Sequence, residues 1–349
     1  MSKNLLRGRG SQFNPRNNFD QYHIEENPAY QDEALGAPTT KVFEETPRTI
    51  VSINDSPDLK MDYSINPYQG CEHGCIYCFA RNSHEYWGFG AGLDFESKIV
   101  VKKNAAIVLE KQLLNRNWKV KPIMLSGNTE CYQPLERRYG LTRELIKILS
   151  RFRHPFSVIT KNTLVTRDVD LLTPLAELGL VSVYFSITTL DESLRRKMEP
   201  RTASAIGKLK AIEQLSKAGI PTGVMNAPII PGINHHETPE ILRLSAEAGA
   251  RGAAYTIVRL NGKIGEMMKD WLEKAYPDRA NKVWNLTCQM HEGKVNDSEW
   301  GQRLLGSGNI SESIKMLFNA SKQKFFKGRR MPELRTDLFR RQGNYTLFD

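Results

Sequence analysis

Three cysteines lie within eight residues, at Cys71, Cys75 and Cys78, in the run Asn66-Pro67-Tyr68-Gln69-Gly70-Cys71-Glu72-His73-Gly74-Cys75-Ile76-Tyr77-Cys78-Phe79. This C-x3-C-x2-C spacing restricts the fold more than any other feature, because three thiols on one short loop must be built around something. Three thiolates so placed can reach three corners of an iron–sulfur cube, with Gly70 and Gly74 letting the backbone turn tightly. Such clusters are normally held by four cysteines. The two that remain, Cys131 and Cys288, are far off in the chain. One iron would then be open to an exogenous ligand. A structural zinc is the competing reading. It needs four ligands and would take the fourth from His73 or His84. His73 stands between the first two cysteines, where reaching the same ion is awkward. Plain buried thiols are the third option.

The cysteine count is odd, which argues against a disulfide framework. With 40% apolar and 25% charged residues in 349, the chain can bury a full core. Collagen, coiled coil and low-complexity disorder are excluded. No apolar run approaches the ~18 residues of a membrane span. The opening MSKNLLRGRGSQFNPRNN has no apolar centre of the kind a secretory signal needs. A cytoplasmic protein without membrane partners is expected; oligomeric state is not legible.

Net charge is +10, and it is unevenly placed. Residues 1–19 carry Lys3, Arg7, Arg9 and Arg16 without an acid; residues 321–349 carry eight Lys/Arg against Glu333, Asp337 and Asp349. Residues 20–62 are acidic. Basic ends interleaved with Phe13, Phe325, Phe326 and Phe339 can hold a phosphate backbone, so DNA or RNA is a candidate partner. Solvated or docked structural tails are the plainer reading.

From residue 61 onward, strand and helix patterns alternate. Strands are predicted near 62–66 and over 123–126, 156–160, 181–187, 221–230 (broken by Pro228 and Pro231) and 253–259. Helices are predicted over 142–153, 167–178, 203–218 and 238–248. Strands separated by helices of this length imply a parallel sheet with right-handed crossovers. The expected fold is α/β, a partial (β/α)6 TIM-like barrel over 61–262. An extended arm over 1–60 precedes it, and a helical extension over 263–349, with Trp271, Trp284 and Phe318 on apolar faces, follows. Active sites of such barrels lie at the C-terminal strand ends, where the cysteine loop falls. The same ends carry Ser126, Asn128, Thr129 and Glu130, then Lys161, then Ser186, Thr188 and Thr189, then Asn226, and finally Arg259. Each taken singly can be a helix cap or a surface group; together they suit a binding site.

These residues resemble the radical S-adenosylmethionine (SAM) superfamily, whose signature is C-x3-C-x2-C with an aromatic, here Tyr77, before the third cysteine. Within it, Tyr-Cys-Phe at 77–79, Thr-Lys-Asn at 160–162, Phe-Ser-Ile-Thr at 185–188, Glu-Pro-Arg-Thr at 199–202 and Ala-Pro-Ile-Ile-Pro-Gly at 227–232 are similar to the spore photoproduct lyase group. Arg7-Gly8-Arg9-Gly10 is similar to the start of that group's uncharacterised relatives.

The resemblance implies a [4Fe–4S] cluster on Cys71, Cys75 and Cys78, with SAM chelating the open iron and a reductase such as flavodoxin or ferredoxin supplying the electron. SAM would be cleaved to a 5′-deoxyadenosyl radical that abstracts hydrogen from substrate. Glu130 would accept from the SAM ammonium, Lys161 offset its carboxylate, Ser186 bond carboxylate or ribose, and Tyr77 pack on adenine. Ser126, Asn128, Thr129, Asn226 and Arg259 are further cofactor candidates, and 224–230 an adenine slot. Two departures stand out. Gly127 occupies the position of the lyase's hydrogen-donating cysteine, leaving Cys131 as a shifted candidate. Phe79 replaces a tyrosine of the lyase's radical relay. The rival of another class is a zinc-stabilised nucleic-acid-binding module without catalysis.

Overall fold

The structure is a computed structural model that describes residues 5–19, 39–59 and 61–341. Lys3, the acidic residues over 20–38 and the last part of the basic tail, 342–349, lie outside the described residues. The strands are β1 (Lys41–Glu45), β2 (Val51–Ile53), β3 (Tyr63–Ile65), β4 (Tyr68–Gln69), β5 (Lys98–Lys102), β6 (Ile123–Leu125), β7 (Phe156–Thr160), β8 (Val181–Ser186), β9 (Thr222–Ile229) and β10 (Gly252–Ile257). The helices are α1 (Leu93–Ser97), α2 (Ala105–Leu114), α3 (Glu136–Tyr139), α4 (Leu141–Arg151), α5 (Val169–Glu177), α6 (Glu192–Met198), α7 (Ala205–Lys217), α8 (Thr238–Glu247), α9 (Ile264–Ala275), α10 (Ala280–Gln289) and α11 (Gly308–Phe325).

The main sheet runs β10-β9-β8-β7-β6-β3-β2. From β3 to β10 its strands pair in parallel and in chain order, and β2 is added antiparallel to β3. Its two ends are not paired with each other, so the barrel is partial and open. The sequence pattern explains the layers. In α4 the buried positions Leu141, Leu145, Ile146 and Leu149 recur at helical spacing and form one face. In β8 every residue but Tyr184 is buried, as expected of a strand covered on both faces. Asp191 caps α6 by accepting from Ser193 and Leu194, and Ser204 caps α7 by accepting from Gly207.

The extended arm contributes two strands: β1 pairs in parallel with β5 in a separate small sheet completed by β4, and β2 covers the first edge of the main sheet. These strands are short and alternate weakly, which hid them. Pro228 does not break β9, because the strand continues to Ile229 with a cis Ala227–Pro228 bond. Cys288 is half-buried.

The helical extension divides its work. α9 places Met267, Met268 and Trp271 against Ile76 and Tyr77 in one apolar cluster. α11 packs on α8 and β10, with Phe318 4.5 Å from Tyr255 between ring centroids. The tail then crosses the N-terminal strand ends, on the side opposite the cysteine loop. Arg329 donates to the carbonyls of Ala246 and Ala250, the Arg335 N–H to Gly179, and the Arg340 N–H to Phe152. The described part of the basic tail is therefore a structural tie rather than a free arm.

His154 lies beneath that tail, fully buried. Trp118 Nε1–H donates to its Nε2 at 3.2 Å, and its Nδ1 lies 3.0 Å from the Pro155 carbonyl oxygen. The neutral ring with hydrogen on Nδ1 satisfies both contacts, whereas a second proton on Nε2 meets an N–H donor. Burial holds the pKa down at about 4, against an ordinary 6.5. The unfolded chain therefore binds the extra proton first. Stability is full above about pH 6.5 and falls by roughly 3 kcal/mol as the pH drops through 4. Urea midpoints across that range check this, and His154→Gln is expected to flatten the slope.

Candidate active site

The cysteine loop leaves the sheet after β3 and β4 and is almost wholly buried. Backbone bonds fold it: Cys71 N–H donates to Phe95 O (2.9 Å), Gly74 to Cys71 O (3.3 Å), Ile76 to Met198 O (3.0 Å) and Cys78 to Cys75 O (3.2 Å). Gly74 has φ +65°, and a Cβ there would stand 2.7 Å from a Glu96 carboxylate oxygen, so only glycine fits both backbone and space.

Cys71, Cys75 and Cys78 are free thiols. Burial pushes each of them up. For Cys71 the next causes include Cys75 and Cys78, and for Cys75 they include Cys78, so the sulfurs lie in electrostatic reach of one another. Cys75 and Cys78 also feel the Lys161 ammonium and the Arg81 guanidinium, which favour thiolate. This donor set fits an iron–sulfur cluster, in which each thiolate takes its own iron.

A single zinc would need a fourth ligand beside the three thiols. The supposed fourth ligands are placed otherwise. His73 Nε2 lies 3.1 Å from Asn162 Nδ2 and its Nδ1 3.6 Å from Glu130. His84 packs its ring against Phe89 and Phe95.

Beside the thiols, at the ends of β7 and β8, lies a buried polar cluster centred on Glu199. Its carboxylate accepts from the Tyr77 hydroxyl and from Thr188 Oγ1 at 2.7 Å. Lys161 Nζ lies 3.7 Å from one oxygen and Lys208 Nζ 3.6 Å from the other. Burial pushes Glu199 up while Lys208 opposes it, and burial pushes Lys161 down. The Lys161 ammonium is also 5.8 Å from the Tyr77 ring centroid. Glu130 faces the same space, accepting from Thr160 Oγ1 (2.7 Å), Lys161 N–H (2.9 Å) and Tyr132 N–H (2.9 Å).

So Tyr77, Glu130, Lys161 and the three cysteines come together. Ser186 ends β8, 5% exposed, paired with Met225 of β9, and its hydroxyl makes no hydrogen bond among the described residues. The others are committed elsewhere. Ser126 Oγ accepts from Cys131 N–H, Asn128 Nδ2 donates to Ser83 and Thr129 Oγ1 to Tyr68 O; these three build the turn after β6. Asn226 bridges Ile187 O and Thr238 Oγ1 with both ends of its amide. Arg259 sits apart, 3.4 Å from Asn296, with Arg303 and Asp58 nearby.

Cys131 has no exposed surface and belongs to the main apolar core. At position 127 a side chain would meet Ser64, since a Cβ there would stand 2.5 Å from Ser64 Cβ. Phe79 is 54% exposed beside the loop. Glu199, Thr188, Lys208 and His73 complete the site. The Glu-Pro-Arg-Thr run contained the first of these, but nothing in the sequence marked its carboxylate as inward.

The family model for the radical SAM superfamily matches residues 65–245. The chain belongs to the radical SAM superfamily. Superfamily membership supports an enzyme and implies SAM and an iron–sulfur cluster, in agreement with the thiol set. An uncharacterised protein of Mycobacterium tuberculosis is 35% identical over 230 residues, covering 65% of this chain and 68% of that one. One of Methanocaldococcus jannaschii is 29% identical over 226 residues, covering 65% and 81%. Spore photoproduct lyase complexed with dinucleoside spore photoproduct superposes with a TM-score of 0.60 at 17% identity, over 82% of this chain and 80% of that one. A mutant of the same lyase with bound AdoMet and the dinucleoside gives 0.58 at 18%, over 82% and 79%. At such identities the likeness establishes the fold. No helix among the described residues is long and apolar enough to cross a membrane.

Proposed function

We propose that this chain is a radical SAM enzyme that cleaves SAM reductively and abstracts hydrogen from a substrate bound at the open, C-terminal face of the sheet. The observation that carries the proposal is the adjacency of three free thiols, two buried and Cys78 half-buried, to the Tyr77–Glu199–Lys161 cluster. Cys71, Cys75 and Cys78 would hold a [4Fe–4S] cluster, which when bound supplies the electron that splits SAM.

The chain's own groups do the rest. Lys161 offers a cation to the SAM carboxylate, and Ser186 offers an unengaged hydroxyl beside it. Glu199 and Thr188 fix the Tyr77 ring. Glu130, already bonded to two backbone N–H groups, orients the 160–161 turn and needs only one further donor, such as an ammonium. Cys131 has no part in this reading. A flavodoxin or ferredoxin in the cytoplasm is the proposed electron source.

Losing a hydrogen bond to a charged group costs about 1.5–3 kcal/mol. Lys161→Ala and Ser186→Ala are therefore expected to weaken anaerobic SAM binding roughly tenfold or more while the cluster still loads. Unchanged binding in both would remove SAM from this position.

For the substrate, the fold likeness to a lyase that takes a dinucleoside photoproduct supports a nucleic-acid base. Arg259 at the end of β10 offers a cation for its phosphate. Affinity for DNA or RNA should then fall steeply with salt and weaken in Arg259→Ala. A salt-insensitive substrate would point to a small molecule or protein instead.

A further inference from the structure

Residues 9–18 lie against the outside of the cysteine loop. Arg9, Gly10 and Ser11 are buried, although Arg7 and Gly8 just before them are exposed. Gly10 packs so closely that a Cβ would stand 1.8 Å from the Gly74 carbonyl oxygen and 3.1 Å from the Ile76 nitrogen. The N–H groups of Gly10 and Ser11 donate to the Glu96 carboxylate at 3.1 and 2.7 Å, and Arg9 Nη1 donates to the Glu96 carbonyl at 2.7 Å. The same carboxylate receives Arg81 Nη2 at 2.5 Å, and Arg81 Nε holds the Cys75 carbonyl at 2.9 Å. A continuous chain of charge-assisted bonds thus joins the strap, through Glu96 and Arg81, to the backbone of the second cysteine.

Further along, Asn14 exchanges two bonds with Asp94, at 2.9 and 3.1 Å. Asn17 Nδ2 donates to Glu85 O at 3.3 Å, and Asn18 Nδ2 to the Glu85 carboxylate at 3.1 Å. The strap is thereby laid on residues 74–96, with Ser11 Oγ 3.4 Å from Met267 Sδ and Phe13 packed on the apolar cluster that includes α9.

We propose that residues 9–18 are a clasp that closes the outer wall of the cluster loop, with Glu96 as its fixed post, and that this clasp sets how long the protein keeps its cluster. The inference rests on the cluster-binding reading given above. Its physical basis is local. With the strap in place, Glu96 has donors on two sides and the backbone of Gly74–Ile76 is shielded from water. With the strap away, a buried carboxylate loses its strap donors beside the loop, water reaches the loop backbone, and Cys75 is held from one side only. The main core contains none of the strap residues, and of residues 9–18 only Phe13 packs on the α9 cluster, so opening the clasp at Gly10 leaves the main core intact. Gly10, Arg9 and Ser11 act as positioning residues for the cysteine loop.

The test uses the full chain, reconstituted anaerobically with iron and sulfide, then exposed to air or to a chelator. Iron content and the iron–sulfur absorption near about 400 nm are followed in time. Gly10→Val places its Cβ on the Gly74 carbonyl, and is expected to speed cluster loss about tenfold, the usual scale for removing support around metal ligands. Far-ultraviolet circular dichroism of the cluster-free chain should stay as in wild type and its unfolding midpoint should drop less than in Arg81→Ala, which separates a clasp from a general stability role. Should Gly10→Val not fold, Ser11→Pro, which removes one donor to Glu96, carries the same expectation at smaller amplitude. Cluster loss at the wild-type rate in the variant tested overturns the clasp. A wild-type chain that takes up no cluster overturns the reading beneath it instead.

Discussion

Glu199→Ala is expected to lower the unfolding free energy by about 3–5 kcal/mol, the scale for removing one partner from a buried charge cluster. The carboxylate has no exposed surface and stands between Lys161 and Lys208, the latter 2% exposed. Alanine leaves Lys208 in the interior without a counter-charge and leaves the hydroxyls of Tyr77 and Thr188 without their acceptor. Glu199→Gln keeps the shape and the acceptor oxygen but not the charge, and is expected to fall between the two. Lys208→Met added to Glu199→Ala should recover part of the loss, because the stranded cation is gone. Urea midpoints of the cluster-free chain give the comparison. A loss below about 1 kcal/mol, the scale of exposed pairs, would mean that these charges are not mutually supporting.

Arg81→Ala is expected to be as severe, again about 3–5 kcal/mol, and to act on the cysteine loop directly. Its guanidinium is fully buried and serves Glu96, the Cys75 carbonyl and the carbonyls of Ala91 and Gly92. Few residues can serve four acceptors at once, and Arg81→Lys cannot reproduce that planar fork. Lysine should therefore recover little. The measurement is the urea midpoint alongside iron content after reconstitution. A stable Arg81→Ala chain with wild-type iron would contradict the role assigned to the Arg81–Glu96 pair.

How much of this was legible in the sequence depends on how local each signal is. The six parallel strands and α4, α5, α7 and α8 follow from residue periodicity, and they fall where alternation and helical spacing put them. The three cysteines and Tyr77 form a contiguous pattern and could be assigned at once. β1 and β2 could not, because three- and five-residue strands with mixed exposure carry no clear alternation.

At the site, polar residues after a strand were ambiguous between caps and ligands, and the structure divides them. Glu130 and Lys161 face the thiols. Ser126, Asn128 and Thr129 build a turn, and Asn226 ties β9 to its neighbours. Glu199 and Lys208 come from α6–α7, outside the strand-end positions, so only tertiary packing brings them in. The same holds for the basic ends. In sequence Arg9, Arg329 and Arg335 were open between a phosphate-binding end and a docked tail, and in the fold they bond to backbone carbonyls or carry backbone ties.

The central claim is that this loop holds a redox cluster that cleaves SAM, and one anaerobic assay addresses it. The chain is reconstituted with iron and sulfide, reduced, given SAM, and 5′-deoxyadenosine is quantified against a Cys71→Ala/Cys75→Ala/Cys78→Ala variant. The account predicts 5′-deoxyadenosine from the wild type and none from the variant. A colourless wild-type protein that takes up no iron and forms no 5′-deoxyadenosine would contradict it.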